Sequence, residues 1–449
     1  MESRYNIWVE HDGAHYVFNG VSGQLFCLTK DDYEAFQAYL NGEEETGCSL
    51  ELLQQLALGR MIVPDGADEL AFLARRYERS RGDTSHFGLT IVTSLGCNFD
   101  CPYCFEAKHP SIMDEQVQQA VLHVLEDQLP RIVSFRVTWF GGEPLVGKKP
   151  LLALSDLFID RCNRSGVAYS ADIVTNGYLL DEETCSDLRE RHVKSAQVSI
   201  DGPPEVHDRM RPLAGGKGSF GRIIANLDHA VNYMNITVRV DVDKDNISHA
   251  EKLFQILAAQ GLSGKLTVYP GQIIGVNDGI STPSATYRGC CFTNLEFARA
   301  EQEFLKLASR YGFARASLPS PTGAPCTAMR TNELVVGSKG ELYKCWNSVG
   351  NRLEVIGDIR EYENPNGRLH KWLKYTPFAN AECRDCIALP VCMGGCAHHA
   401  MNPIQYENRC GTFRHMHHER VLEFVRTAKA QGSTGLVASA SFASRVETR

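Results

Sequence analysis

Ser94-Leu95-Gly96-Cys97-Asn98-Phe99-Asp100-Cys101-Pro102-Tyr103-Cys104 is the stretch that decides how this chain is read. Three cysteines stand on one short segment at the spacing C-x3-C-x2-C. Three thiolates on one loop can take three corners of a [4Fe–4S] cubane and leave the fourth iron open to an outside ligand. A structural zinc site would want four closed ligands, and it stands as the alternative.

Working outward, strict alternation of apolar and polar residues begins at Leu89 and ends at Leu95, directly before the triad. Similar runs recur at Ser134–Gly141, Ala168–Asn176, Ala196–Asp201, Thr237–Val242 and Lys265–Tyr269. Helical patterns fall between them near 113–128, 149–165, 181–192, 219–234 and 248–260, with another at 294–311. Strand–helix alternation implies a parallel sheet covered by helices. Six units are too few for an eightfold barrel, so the expected fold class is α/β, a partial (β/α)6 TIM-like barrel over residues 86–312. Chemistry in such folds sits at the C-terminal ends of strands. The unusual residues do fall there. Gly141-Gly142-Glu143-Pro144 closes the second strand, Thr175-Asn176-Gly177 the third, and Ser199-Ile200-Asp201-Gly202 the fourth, followed by Arg211; Arg239 lies in the fifth.

The cysteine triad after the first strand of a partial barrel resembles the radical S-adenosylmethionine (SAM) superfamily. The resemblance implies that Cys97, Cys101 and Cys104 hold a [4Fe–4S] cluster whose open iron is chelated by SAM. Cleavage of the cofactor's C5′–S bond then releases a 5′-deoxyadenosyl radical that takes hydrogen from substrate. It further implies that Tyr103 lies beside the adenine. Gly141, Gly142, Glu143 and Pro144 would hold the methionine amino group. Thr175, Asn176, Ser199, Asp201, Arg211 and Arg239 would contact ribose hydroxyls and the cofactor carboxylate; Ser and Asp suit hydroxyls, and Arg suits a carboxylate.

Residues 313–410 lose the alternation and hold seven cysteines, a composition suggesting a small domain organised around metal. Cys326, Cys345, Cys383-x2-Cys386-x5-Cys392-x3-Cys396 and Cys410 resemble the SPASM extension of the superfamily. By that resemblance Cys383, Cys386, Cys392 and Cys410 hold an outer [4Fe–4S] cluster, and Cys326, Cys345 and Cys396 an inner one, making three clusters in all; a paired zinc site is the alternative. Two departures stand out. Sulfatase-maturing members have a further Cys soon after the first, whereas Thr327–Glu333 contain none, so the inner cluster is left with an open iron or a ligand from Cys290 or Cys291. Those members also carry an Asp after the second Cys; here Trp346 follows Cys345, and Trp has no acid–base function.

Residues 1–85 read as a separate small α+β domain, winged-helix-like: three strand patterns (Tyr5–Glu10, His15–Asn19, Gln24–Thr29), then three helical ones, with Arg75–Asp83 as a linker. This resembles the precursor-recognition element of peptide-modifying enzymes, which binds a leader peptide by strand addition. A domain packed on the barrel for stability would look the same. The reading is a peptide maturase that installs a thioether or carbon–carbon crosslink in a ribosomally made precursor, served by an external one-electron donor such as flavodoxin or ferredoxin. The competing readings are a sulfatase-maturase-like or other enzyme of the same fold acting on a protein or small molecule, and a plain iron–sulfur electron carrier.

Composition bounds the rest. A net charge of −8 argues against nucleic acid as partner, and the absence of a run of about 18 apolar residues argues against a membrane span. No secretory signal opens the chain, and 16 cysteines, more than half at or beyond residue 290, suit a reducing cytoplasm with metal-bound thiols. Cys27, Cys48, Cys162 and Cys185 stand alone in apolar patterns and are expected as buried core thiols. His398, His399, His415, His417 and His418 show no ligand spacing and are expected on solvated helices. Residues 313–430 form the expected cluster domain, 411–430 helical within it, and 431–449 a loose tail.

Overall fold

A computed structural model of the chain describes residues 1–43, 46–275, 282–287 and 289–430; the expected loose tail lies outside the described residues. Chain order begins with an antiparallel sheet of β1 (Asn6–His11), β2 (Ala14–Asn19) and β3 (Leu25–Leu28), in the order β1-β2-β3. Helices α1 (Lys30–Leu40), α2 (Leu50–Leu58) and α3 (Glu69–Arg81) follow. Thr29, Ser49 and Asp68 cap them, each side chain accepting a backbone N–H of the first turn.

Both faces of this small sheet are buried, because alternate residues on both sides are apolar. Val17, Phe26 and Leu28 pack with Phe36, Leu56 and Met61 from the α1–α2 side. Ile7, Tyr16, Phe18 and Leu25 pack with Phe413, Val421 and Val425 of the C-terminal helix, Phe413–Ala430. The N-terminal segment is therefore docked on the C-terminal region. The polar stretch Arg75–Asp83 is not a linker: it continues α3, with Tyr77 and Arg81 buried. Arg81 donates to the carbonyls of Trp372, Leu373 and Tyr375, tying the helix to the cysteine-rich region.

The central sheet contains β4 (His86–Ser94), β5 (Ser134–Gly141), β6 (Ala168–Thr175), β7 (Val193–Ser199), β8 (Asn235–Val242) and β9 (Leu266–Gln272). All five neighbouring pairs are parallel and in chain order, the arrangement of an open barrel. Helices α4 (Glu115–Gln128), α5 (Lys148–Ser165), α6 (Glu182–Glu190), α7 (Pro204–Met210), α8 (Phe220–Ala230), α9 (Ala250–Ala259) and α10 (Asn294–Arg310) form the outer layer. Parallel strands are buried on both faces. Ile91, Val137, Trp139, Ile173, Val198 and Val238 accordingly lie in one core.

The cysteine-rich region also extends the barrel sheet. β10 (Glu333–Val336) pairs parallel with β4, and β11 (Glu341–Tyr343) and β12 (Gly357–Asp358) continue antiparallel, making nine strands. Directly after β11 the ammonium of Lys344, buried at 1 % exposure, donates to the carbonyls of Arg330 and Glu333. It thus anchors the segment between Cys326 and Cys345 that lacks the additional cysteine. Lys344→Met is expected to lower stability by about 1–3 kcal/mol, the scale of leaving buried polar groups unpaired; a urea midpoint equal to wild type would contradict it. No helix among the described residues is long and apolar enough to cross a membrane.

Candidate active site and cluster-binding cysteines

β4 ends at Ser94, and the cysteine loop begins where the sheet stops. Cys97, Cys101 and Cys104 all line one cavity of about 450 Å³ at the C-terminal ends of the strands. Burial pushes Cys97 up to about 11 and Cys104 up to about 12, and raises Cys101 as well. Such thiols stay protonated at neutral pH until something positive displaces the proton. The backbone N–H of Phe99 already points at the Cys97 sulfur, at 3.4 Å.

Gly141 and Gly142 line the cavity where β5 ends. Gly141 has φ +137°, and a Cβ at Gly142 would meet the carbonyls of Leu95 and Gly96 at 2.7 and 2.8 Å. Only glycine lets these two loops approach so closely. Glu143 turns the other way. It is 0 % exposed and does not line the cavity. Its Oε1 accepts from Leu145 N (3.0 Å) and Thr175 Oγ1 (2.8 Å), and its Oε2 accepts from Asn176 N (2.7 Å). Its carboxylate clasps the end of β6 to the end of β5, which leaves the glycine backbone to face any ligand. Pro144 is likewise behind the wall, its carbonyl accepting from Thr93 Oγ1 (2.9 Å).

Thr175, Asn176, Ser199, Arg211 and Arg239 line the cavity; Asp201 does not. Asp201 is a buried support: it accepts from Tyr103 Oη and lies 3.5 Å from Arg211 Nη1. Arg211 donates to Tyr103 Oη (2.6 Å) and Asp241 Oδ2 (3.3 Å), and Arg239 Nε donates to Asp241 Oδ1 (2.7 Å). Burial raises the Asp201 carboxyl, Arg211 opposes that, and Asp241 adds to it. Asp241 lines the cavity and was not singled out from sequence. Its signal was present: Arg239 and Asp241 are two apart on one strand and share a face.

His207 braces this layer from behind. It is fully buried; Asp201 N donates to its Nδ1 (3.3 Å), so Nε2 carries the proton facing Ser219 Oγ (3.0 Å). Burial, followed by Arg211, pushes its pKa down to about 3. A histidine depressed in the folded state favours folding fully above its unfolded pKa of about 6.5. That contribution is lost as pH falls below 6.5, at about 1.4 kcal/mol per pH unit. His207→Asn, which keeps an acceptor for Asp201 N, is expected to flatten the stability slope between pH 6.5 and 4.5 in urea titrations.

The donor set fits the cluster and cofactor implied by the cysteine motif. Three thiols line one cavity, two glycines open its wall, and among the described residues the buried Nε of Arg211 has no partner, as suits an incoming carboxylate. The family model of the Radical SAM superfamily matches residues 91–257. The chain carries a radical SAM domain. Cysteine-type anaerobic sulfatase-maturating enzymes are among its relatives. That of Clostridium novyi is 24% identical over 332 residues, 68% of this chain and 85% of that protein. That of Clostridium perfringens is 23% identical over 330 residues, 68% of this chain and 86% of that protein. Among solved structures, hexahistidine-tagged anSMEcpe with bound AdoMet has a TM-score of 0.57 at 18% identity, covering 77% of this chain and 97% of that one. It shares the fold.

The seven cysteines from Cys326 to Cys410 fall into two neighbourhoods. Cys383 is raised to about 11 by burial and then by Cys392, Cys410 and Cys386. Arg414 Nη1 donates to the Cys410 sulfur at 3.0 Å. Cys345 is raised by burial, then by Cys396 and Cys326. Cys290 and Cys291 are not brought to that second group; they lie at the end of β8, where Lys244 N donates to Cys290 O (2.9 Å) and Asp243 is the charged neighbour of Cys291. Among the described residues, no three Cys, His, Asp or Glu side chains converge on a point where a single metal ion would sit.

Two sequence expectations are corrected. Cys162 and Cys185 are core thiols, but Cys27 is exposed on β3 and Cys48, in the segment before α2, is only half-buried. The histidines are not merely solvated: His398 and His399 line the cavity, His415 pairs with Asn294 (2.7 Å), and His418 bonds the carbonyl of Trp8 on β1 (3.1 Å).

Proposed function

We propose that this radical SAM enzyme modifies a ribosomally made precursor peptide, abstracting hydrogen from one side chain so that a thioether or carbon–carbon crosslink closes. When bound, the cluster and SAM supply a 5′-deoxyadenosyl radical at the cavity. The chain's own residues do the rest. Cys97, Cys101 and Cys104 would hold the cluster, and the backbone of Gly141–Gly142 would accept from the cofactor's ammonium. Arg211, kept in place by Tyr103, Asp201 and Asp241, would take its carboxylate, and Thr175, Asn176 and Ser199 its hydroxyls. Cys383, Cys386, Cys392 and Cys410 would carry one auxiliary [4Fe–4S] cluster, and Cys326, Cys345 and Cys396 another, suited to accept the electron left after ring closure and pass it to an external one-electron carrier.

The observation carrying the peptide reading is the N-terminal sheet. Its β1 edge is covered: the C-terminal helix packs along it, and His418 bonds the Trp8 carbonyl. Among the described residues β3 pairs only with β2, so a leader strand would add at β3. A solved anSMEcpe structure holds a peptide beside AdoMet. The sulfatase-maturating relatives favour a second reading, modification of a protein such as a sulfatase, and Trp346 in place of an acid speaks against it.

Both readings are separated by one assay. The anaerobically reconstituted full chain is reduced with SAM and with a short peptide encoded beside its gene. A product lacking two hydrogen atoms, with 5′-deoxyadenosine formed, supports crosslinking; an unchanged peptide beside abundant 5′-deoxyadenosine excludes it.

A further inference from the structure

Two cavity residues have no task in the cofactor site just described, and the segments that carry them touch. Glu106 follows the cysteine triad by two positions. It is 4 % exposed, lines the cavity, and among the described residues its Oε2 has no hydrogen-bond partner. A buried carboxylate oxygen without a donor is costly, and a ligand that brings one relieves the cost. The Lys108 ammonium, on the same cavity wall, donates to the carbonyl of Phe99 (2.8 Å). The next residue, Ala107, lies against the segment that carries Trp346: a Cβ at Gly350 would stand 3.3 Å from that of Ala107.

Trp346 is 46 % exposed, although it lines the cavity. One face of its indole lies on Phe140, with centroids 5.5 Å apart and planes 17° from parallel. Phe140 is buried at the end of β5, so that face is fixed by the barrel, and the rest of the indole surface is presented to the cavity. Asn347, Asn351, His398, His399 and Gln405 line the same cavity, as does Lys108. A flat apolar plane in the same cavity as a buried carboxylate oxygen suits a flat ligand that brings a hydrogen-bond donor.

We propose that Glu106 and Trp346 form the subsite for the substrate's target side chain, and that this side chain is aromatic and carries a hydrogen-bond donor, as tyrosine and tryptophan do. The indole takes the ring and Glu106 Oε2 accepts the O–H or N–H. The assignment rests on the peptide-modifying reading above.

The test is binding of N-acetyl-L-tyrosinamide, N-acetyl-L-phenylalaninamide and N-acetyl-L-lysinamide to the anaerobic holoenzyme with SAM, followed by saturation-transfer NMR. The tyrosine probe is expected to bind about tenfold more tightly than the phenylalanine probe, the scale of one hydrogen bond to a charged acceptor. Glu106→Met should erase that preference, Glu106→Gln should keep part of it, and Trp346→Ala should weaken both aromatic probes. Iron content of each variant checks that the clusters are loaded. Equal binding of tyrosine and phenylalanine probes, tighter binding of the lysine probe, or a preference that survives Glu106→Met overturns the subsite. So does weaker SAM binding in Glu106→Met, which would give the carboxylate to the cofactor. 5′-Deoxyadenosine is measured in the same samples: its absence would count against the radical reaction, whereas its presence with no probe preference counts against the subsite alone.

Discussion

Cys101→Ala is expected to reduce 5′-deoxyadenosine formation to background. Cys101 stands in the middle of the loop, buried, between Cys97 and Cys104, and all three side chains face one cavity. Held by three protein thiolates, a [4Fe–4S] cluster would keep a single open iron; with two, it would lose a corner and with it the cluster. The fall should therefore exceed the 10–100-fold typical of changes to outer-sphere partners. Cys162→Ala is the control, because that thiol is buried inside α5. The measurement is 5′-deoxyadenosine by chromatography after anaerobic reconstitution, beside iron and sulfide content. Cys101→Ala with wild-type turnover would remove the triad from the chemistry.

The second large effect is on stability rather than turnover. Glu143→Ala should cost on the order of 4 kcal/mol, because the three donors of Leu145, Thr175 and Asn176 would lose a shared, buried, charged acceptor. Burial raises the pKa of this carboxyl, and the three hydrogen bonds pull it back. Glu143→Gln keeps one acceptor oxygen but sets its amide N–H against the N–H of Asn176, so an intermediate loss is expected. Denaturant midpoints of the three proteins give the order. SAM affinity should fall with them, since Asn176 and the Gly141–Gly142 backbone line the cavity that Glu143 braces. A Glu143→Ala midpoint equal to wild type would show that the clasp carries no energy.

Much of this was legible without coordinates. The triad's spacing is local, and the alternation that precedes it marks a strand, so the position of Cys97 at a strand end follows from sequence alone. The six strands of the barrel appear within a few residues of their expected places, because period-2 burial is written in each segment separately. The caps at Thr29, Ser49 and Asp68 are local for the same reason.

What the sequence could not state is which neighbour a side chain meets. Glu143 and Glu106 are both acidic residues beside glycine- or cysteine-rich loops; only the packed fold turns one into the wall and the other into the cavity. Arg75–Asp83 has the composition of a linker, yet carbonyls of residues 372–375 make its Arg81 a buried tie. The histidines after Cys396 lack a spacing pattern, yet His398 and His399 line the cavity, and His415 and His418 bond Asn294 and Trp8, each more than a hundred residues away in sequence. Short-range periodicity determined the elements and the cluster loop of this protein. The facing of its charged and aromatic groups was decided by tertiary packing, because burial and pairing energies depend on partners distant in the chain.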